Sequence, residues 1–442
     1  MRDLMVAGLF PIILFLCLRN TFSAYIIWGW SGLVALQTYL YGFMADLPYV
    51  QTFAIIALVL ILVGKDSEKK EFNPNRTIVI LCLFGVHILL CAIFAEPGLL
   101  RNWELTTNVL KTFLYCLIMP LLVTSRWRIH AMLVMIVLAI GFNAGLDGLK
   151  FIASGGTHMA RGNAKLGDNN HFALIVVMVM PLILYLYQYS SSKLIRWGFL
   201  GLLIVSVLAV VSSNSRGGLI AMVALAVWVT WKSRRRLQGL VFIALLSALI
   251  VQVAPESWTN RMGTIEQAGD DASFMGRVTA WKRASAIAVE HPVFGGGLHA
   301  GQAFTLFEQY RYKPGLLGFI DTPDLSRPLA SHSIYFEVLG DLGFLGFFIF
   351  LLLIYNNFIT RKEIKRLISK KSDELMWAGD LSDILAGSLM VYVTAGALLS
   401  AAYFELPYII MMLMEITKQQ ILVSNSNAIK SIPSHERLRV AN

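Results

Sequence analysis

Four polar clusters in an otherwise apolar sequence contain residue types that can bind an anion and take up a proton. They begin at Arg161, Ser212, Gly276 and His332. Arginine side chains and N–H groups at helix starts bind phosphate-like anions, and a neutral imidazole acts as a general base near pH 7. The clusters together indicate a site where an anionic substrate lies beside a group that removes a proton.

The first cluster leads into an apolar segment that is long enough for a membrane helix. Asp168 or Asn169 can cap this helix, and Asn170 adds a further amide. Arg161 and Lys165 supply positive charge, although a plain solvated loop would also contain such residues. We therefore take these side chains as candidates for binding an anion, with a solvated loop as the alternative.

The second cluster, residues 212–218, separates two apolar segments with almost no connecting loop. Arg216 therefore lies at the membrane boundary, in the first turn of a helix, directly after Ser215. Gly217 and Gly218 would let a ligand approach the backbone closely, and the helix dipole favours an anion there. An arginine that anchors the helix end in the lipid headgroups is the alternative.

The third cluster belongs to a predicted helix inside a long polar loop. Residues 276–290 have the apolar spacing of a helix, and a Gly-Gly-Gly turn follows at 295–297. Arg277, Trp281 and Lys282 lie on this helix and could contact a ligand. A solvated helix face would explain the three cations Arg277, Lys282 and Arg283 equally well.

The fourth cluster begins where the apolar pattern resumes after the loop. His332 follows Ser331, a predicted N-cap, and a helix N-terminus disfavours a charged imidazole. Tyr335, Glu337 and Asp341 follow on the predicted helix, with the two carboxylates four residues apart on one face. The carboxylates are either functional or paired with a lysine or arginine. His332 is the candidate general base.

The composition is that of an integral membrane protein. Of 442 residues, 57% are hydrophobic and only 14% are charged, whereas soluble domains contain about 25% charged residues. The net charge of +10 is divided among short clusters between apolar segments, which is typical of cytoplasmic loops and not of a nucleic-acid-binding surface. The four cysteines lie in apolar stretches without the spacing of a metal site or a disulfide framework.

The hydropathy predicts an all-α polytopic protein with about twelve transmembrane helices and one large outer loop that contains helices. Residues 1–254 and 333–420 hold the transmembrane helices, residues 255–332 form the outer loop, and residues 421–442 form an inner tail. For the apolar piece 4–18 we expect partial insertion. The predicted helices are residues 24–43, 50–64, 77–95, 105–123, 129–148, 171–189, 195–213, 217–232, 237–254, 333–358, 382–402 and 404–419.

The order of these motifs resembles the O-antigen ligase superfamily, which includes lipopolysaccharide O-antigen ligases, O-antigen polymerases and pilin O-oligosaccharyltransferases. The similar motifs are Ser-Arg-Gly at 215–217, Gly-Arg at 276–277 with Trp281, the glycine turn, and His332 followed by Glu337 and Gly343. The resemblance covers about residues 150–360 and is greatest to the ligases. Ser333 is a departure, since many members have asparagine after the histidine.

The resemblance implies a GT-C-like, metal-independent and inverting glycosyltransferase of the bacterial inner membrane, with its active site facing the periplasm. The donor would be a glycan on undecaprenyl diphosphate, and the acceptor would be a sugar hydroxyl of lipid A–core. His332 would be the base, and Arg161, Arg216 and Arg277 would bind the diphosphate without a cofactor. The possible supporting residues are Lys165, Asp168, Asn170, Ser215, Trp281, Lys282, Tyr335 and Glu337.

Other functions remain open at the level of sequence. An O-antigen polymerase or a protein O-oligosaccharyltransferase would use the same donor with another acceptor. A transporter of lipid-linked sugars would need matched repeats with broken helices and charges at the membrane midplane, whereas here no repeat is evident and most polar groups lie at one face. A non-catalytic assembly protein would use the outer loop only to bind partners.

Overall fold

Helices account for the regular structure of the described part of the chain. A computed structural model describes residues 2–64, 74–162, 167–232, 272–368 and 373–430, which form fourteen α-helices and no β-strand. In chain order they are α1 (Arg2–Arg19), α2 (Thr21–Val34), α3 (Tyr49–Leu62), α4 (Arg76–Ile93), α5 (Asn102–Leu122), α6 (Arg126–Ala153), α7 (Asn169–Tyr189), α8 (Lys193–Ser212), α9 (Arg216–Lys232), α10 (Ala272–Glu290), α11 (Phe304–Tyr310), α12 (Ile334–Ile368), α13 (Met376–Ala395) and α14 (Glu405–Lys430).

Seven of the described helices are long and apolar enough to cross a membrane, namely α4, α5, α6, α7, α8, α12 and α13. The apolar helices α3 and α9 are shorter. The predicted all-helical polytopic fold is thus confirmed. The outer loop contains the predicted helix, α10. The predicted segment 237–254 lies outside the described residues.

Four predicted helices differ by six residues or more at an end from those in the structure. The segment 333–358 forms α12 (Ile334–Ile368), and the segment 382–402 forms α13 (Met376–Ala395). The apolar segment 24–43 contains only α2, because Ala35 adopts a left-handed conformation (φ 52°) and the chain continues as a 3₁₀-helix at Leu36–Tyr39. The final helix, α14, continues to Lys430 and is therefore longer than the apolar segment 404–419. Hydropathy does not detect the end of α2, since no charged residue occurs between Ala35 and Asp46, or the end of α14, since that end is polar.

Helix α7 lies at the centre of the bundle. Every residue from Phe172 to Ile183 is buried, so α7 contacts other helices on all sides. Glycines allow close packing around it: a Cβ on Gly218 of α9 would lie 2.7 Å from the Ala173 Cβ of α7. Because α7 is enclosed by neighbouring helices, the polar residues at its N-terminus are held rigidly at one face of the bundle.

The outer loop is attached to the bundle at a break in α12. Gly343 has φ 69° and ψ −172°, which interrupts the helix. The Phe344 N–H, which would donate to the Gly340 carbonyl in an unbroken helix, donates to the Pro292 carbonyl (2.8 Å). The Gly340 carbonyl accepts instead from the Gly296 N–H (2.9 Å). The predicted glycine turn is therefore joined to α12 by backbone hydrogen bonds.

Candidate active site

His332 lies just outside α12, in a constrained turn. The helix begins at Ile334, and the His332 backbone is left-handed with φ 44°. Its N–H donates to the Ser400 hydroxyl oxygen (2.9 Å), which holds this turn against the end of α13. The prediction that Ser331 caps the helix is wrong, because its hydroxyl contacts Ser333 O and Ser400 Oγ (both 3.4 Å) and no N–H of the first helical turn.

The surroundings of His332 favour its neutral form. Burial lowers the pKa of His332 below its usual value, and the positive charge of Arg277 lowers it further. Asp168 acts in the opposite direction, and His171 adds to the lowering. A neutral imidazole agrees with the expectation from the sequence, but its main causes are burial and Arg277.

The charged groups that act on His332 come from separate parts of the chain. Arg277 comes from α10, Asp168 and His171 from the start of α7, and His332 from the start of α12. The His171 ring also contacts the backbone of Ser400, after α13. The first, third and fourth polar clusters of the sequence therefore meet at one place.

Trp281 fixes the position of α10 relative to His332. Its indole N–H donates to the Ser331 carbonyl oxygen (2.6 Å). Its ring stacks on Phe336, with ring centroids 5.1 Å apart and planes 8° apart. Arg277 lies one turn earlier on the same face of α10, because residues i and i+4 are neighbours on a helix. Trp281 thus has a positioning role, and it directs Arg277 towards His332.

The second cluster is joined to the first by side-chain hydrogen bonds. The Ser215 hydroxyl donates to Asn170 Oδ1 (2.7 Å), and the Asn169 amide donates to the Ser213 carbonyl oxygen (2.8 Å). Asp168 caps α7 as predicted, since its carboxylate accepts from the N–H groups of Asn170 (3.0 Å) and His171 (2.9 Å). The N-termini of α7 and α9 are consequently adjacent, and their dipoles add at the same face.

Arg216 begins α9, as the sequence predicts. The N–H of Gly218 donates to the Ser215 hydroxyl (3.0 Å), and this glycine packs against α7, so it serves helix packing. A Cβ on Gly217 would be in ordinary van der Waals contact with Ser215 Oγ at 3.6 Å. Of the two glycines that we expected to admit a ligand, only Gly217 therefore has room for a side chain.

Of the two cations of the first cluster, Arg161 and Lys165, the structure describes only Arg161. Arg161 is exposed, directly after Ala160, whose N–H donates to the Ser212 carbonyl oxygen (3.0 Å). This bond places the Arg161 loop beside the start of the second cluster, which contains Arg216. Lys165 lies outside the described residues.

Lys282 and Tyr335 have structural hydrogen bonds. The Lys282 ammonium donates to the Ile320 carbonyl oxygen (3.0 Å) within the outer loop. The Tyr335 hydroxyl donates to the Val393 carbonyl oxygen of α13 (2.8 Å). Neither bond involves the residues around His332, so the structure gives these two candidates a supporting role at most.

The two carboxylates of α12 accept hydrogen bonds from backbone N–H groups and from a tyrosine. Glu337 accepts from the Ala402 N–H (3.0 Å), after α13. Asp341 accepts from the N–H groups of His299 and Ala300 and from the Tyr403 hydroxyl, all at 3.1 Å. These bonds fasten the outer loop and the α13–α14 connection to α12. Within the described residues neither carboxylate pairs with a lysine or an arginine, although such pairing was one of the two predictions for them.

Sequence reasoning missed Ser400 and gave no role to His171. Ser400 is a single hydroxyl at the end of an apolar segment, and nothing in its local sequence distinguishes it from other serines in the membrane helices. His171 directly follows Asp168, Asn169 and Asn170 of the first cluster, so its position could have indicated a place in the site. Within the described part of the chain, no group of three or more His, Cys, Asp or Glu side chains is arranged to hold a metal ion.

Two family models match the chain in separate regions. Residues 200–351 match the model described as O-antigen ligase, and residues 1–191 match a family of unknown function, DUF5935. The comparison with curated proteins finds no match. The first region contains Arg216, Arg277 and His332, which are the residues that carry the resemblance. The chain is therefore a multi-pass membrane protein with an O-antigen-ligase-type region at residues 200–351, and this match supports the superfamily.

Proposed function

We propose that the protein is an O-antigen ligase, which transfers a glycan from undecaprenyl diphosphate to a sugar hydroxyl of lipid A–core. The observation that carries the proposal is the position of the half-buried His332, whose turn is held by Ser400 and, through Ser331, by Trp281, and whose pKa responds to Arg277, Asp168 and His171. The match of residues 200–351 to the O-antigen ligase model supports the same reaction class. The proposed location is the bacterial inner membrane, with the site facing the periplasm.

In the proposed reaction, the acceptor hydroxyl attacks the anomeric carbon of the donor sugar. A new carbon–oxygen bond forms while the bond from that carbon to the diphosphate oxygen breaks, with inversion. The hydroxyl proton passes to the neutral imidazole of His332, and the diphosphate leaves with the bonding electron pair. A single in-line displacement of this kind needs no covalent enzyme intermediate.

The departing diphosphate needs positive charge near the membrane boundary. Arg216 lies there at the start of α9, beside the start of α7, where two helix dipoles favour an anion. Arg277 reaches the site from α10, and Arg161 follows the loop that is bonded to Ser212. In this proposal the arginines stabilise the leaving group in place of a metal ion.

The rate of transfer should fall on acidification, with a midpoint below pH 6.5. His332 accepts the proton only when it is neutral, and its pKa lies below the usual value of about 6.5. Activity is therefore complete above that pKa and is lost as the pH falls through it. Asp168→Asn still caps α7 but removes a charge that raises this pKa, so its acid limb should move to lower pH.

The measurement is the pH dependence of kcat/KM for the wild type and for Asp168→Asn. An acid limb at the same pH in both enzymes, or a wild-type midpoint above pH 7, would contradict the assignment of His332 as the titrating base.

A competition between acceptors tests the proposed function. Purified protein receives undecaprenyl-diphosphate glycan together with lipid A–core, a shorter lipid-linked glycan and a serine-containing pilin peptide, in buffer containing a chelator. We expect product on lipid A–core. Elongation of the lipid-linked glycan would show a polymerase instead, and labelled peptide would show a protein glycosyltransferase.

A further inference from the structure

The outer loop encloses a second cavity, separate from the residues around His332. Its volume is about 250 Å³. It lies between α10, α11 and the loop that follows α11. The charged and aromatic side chains that line it include Lys282, Arg283, Arg311, Phe307, Tyr312 and Asp324. The proposed transfer reaction uses none of them.

Two cations of this cavity have no carboxylate partner among the described residues. Arg283 is only 3% exposed, and its guanidinium donates to the carbonyl oxygens of Gly301 and Leu329, both at 2.8 Å. Burial lowers the pKa of Arg283 to about 10, so it remains charged at neutral pH. Lys282 donates to a backbone carbonyl only. A buried charge without a counter-ion is costly, and an anion in the cavity would compensate it.

The rest of the cavity combines two further cations, Arg311 and Lys313, with aromatic rings, and Lys313 pairs with Glu290 (2.5 Å). Arg311 pairs with Asp324 (2.7 Å), and its guanidinium lies over the rings of Phe307 and Tyr312 at 5.3 and 5.4 Å. The Tyr312 ring is 76% exposed and its hydroxyl donates to Asp324. An exposed ring beside arginine and lysine offers an apolar face to a sugar and positive charge to an acidic substituent.

The cavity and the candidate active site lie on different faces of the same helix. Arg277 and Trp281 face His332, whereas Lys282 and Arg283 line the cavity. A helix with its side chains is about 10 Å across, which is a distance that a short oligosaccharide spans. The segment from Leu329 to Ser331 is bonded to Arg283 at one end and to Trp281 at the other, so it links the two places rigidly.

From these contacts we infer that the cavity binds an acidic sugar unit, carrying a phosphate or a carboxylate, of the glycan substrate. The inference rests on the proposed function and specifies the substrate class. Cations without carboxylate partners select the acidic group, and the aromatic rings select a sugar over a bare anion. The bound unit holds the rest of the glycan across α10, near His332.

A binding experiment tests the cavity independently of transfer. The thermal stability of the purified protein is measured with glucose 6-phosphate, glucuronic acid, glucose or inorganic phosphate. We expect saturable stabilisation by at least one acidic sugar, and about tenfold weaker binding in Lys282→Gln/Arg311→Gln because two charged hydrogen-bond donors are lost. Arg327→Gln is the matched control, since Arg327 is an exposed cation of the same loop outside the cavity.

Equal stabilisation by inorganic phosphate and by the acidic sugars would overturn the inference, and so would unchanged binding in the double variant.

The transfer assay then identifies the substrate, using lipid A–core before and after phosphatase treatment. In one outcome, the double variant transfers more slowly than the wild type with untreated lipid A–core but equally fast with the treated acceptor. That result assigns the acidic unit to the acceptor. A loss of rate that persists with the treated acceptor assigns it to the donor glycan or to a carboxylate of the acceptor, which phosphatase leaves in place. Binding of acidic sugars without any transfer by the wild type would refute the proposed function and leave the cavity assignment intact.

Discussion

Replacement of His332 by asparagine should reduce glycan transfer by about 10²–10⁴-fold, which is the usual contribution of a general base. In the proposed mechanism the imidazole takes the acceptor proton, and its neutral form is favoured by burial and by Arg277. Asparagine cannot accept that proton near neutral pH. We expect the loss in kcat, with little change in the KM for the donor, because in the proposed mechanism His332 contacts the acceptor hydroxyl and not the diphosphate.

The choice of asparagine separates catalysis from folding. His332 has φ 44°, a conformation that asparagine tolerates better than alanine does. His332→Asn can therefore keep the backbone hydrogen bond to Ser400, and its thermal stability should be within a few degrees of the wild type. Near-wild-type transfer by a stable His332→Asn enzyme would show that another group is the base.

Arg216→Ala should lower kcat/KM for the lipid-linked donor by about 10²-fold, and Arg216→Lys should lower it by about tenfold. Removal of one donor to a developing anion commonly costs 10²–10³ in rate. Lysine keeps the positive charge but loses the planar fork that binds two phosphate oxygens at once. Both variants should still insert, because the cap of α9 comes from Ser215 and not from Arg216.

Arg101→Lys provides the matched control for Arg216. Arg101 is an exposed arginine directly before α5, and the predicted orientation places it at the same face of the membrane. Its replacement should leave donor use unchanged. Full activity of Arg216→Lys, equal to that of Arg101→Lys, would mean that Arg216 only anchors its helix in the headgroups.

Hydropathy and local motifs were sufficient to predict most helices. Long apolar segments must form helices in a membrane, because every backbone polar group there needs an internal partner. The caps were predictable where the side chain acts within a few residues, as Asp168 does for α7. The position of Arg216 at the start of α9 was predictable as well, because the change from a polar run to an apolar segment is visible in the local sequence.

The contacts between distant segments could not be predicted from the sequence. Ser400 supports the His332 turn from another connection, and only the packing of α12 against α13 brings them together. The break at Gly343 depends on the backbone of residues 292–296 exchanging hydrogen bonds with α12. A glycine in an apolar segment is compatible with an unbroken helix, so local sequence contains no signal for this break.

The central claim is that a neutral His332 drives glycan transfer from undecaprenyl diphosphate. The most direct measurement is the initial rate of transfer from purified undecaprenyl-diphosphate glycan to lipid A–core by the wild type and by His332→Asn, at equal folded concentration. We predict transfer by the wild type and a rate at least 10²-fold lower for His332→Asn. Comparable rates for the two proteins, or no transfer by the folded wild type, would contradict the claim.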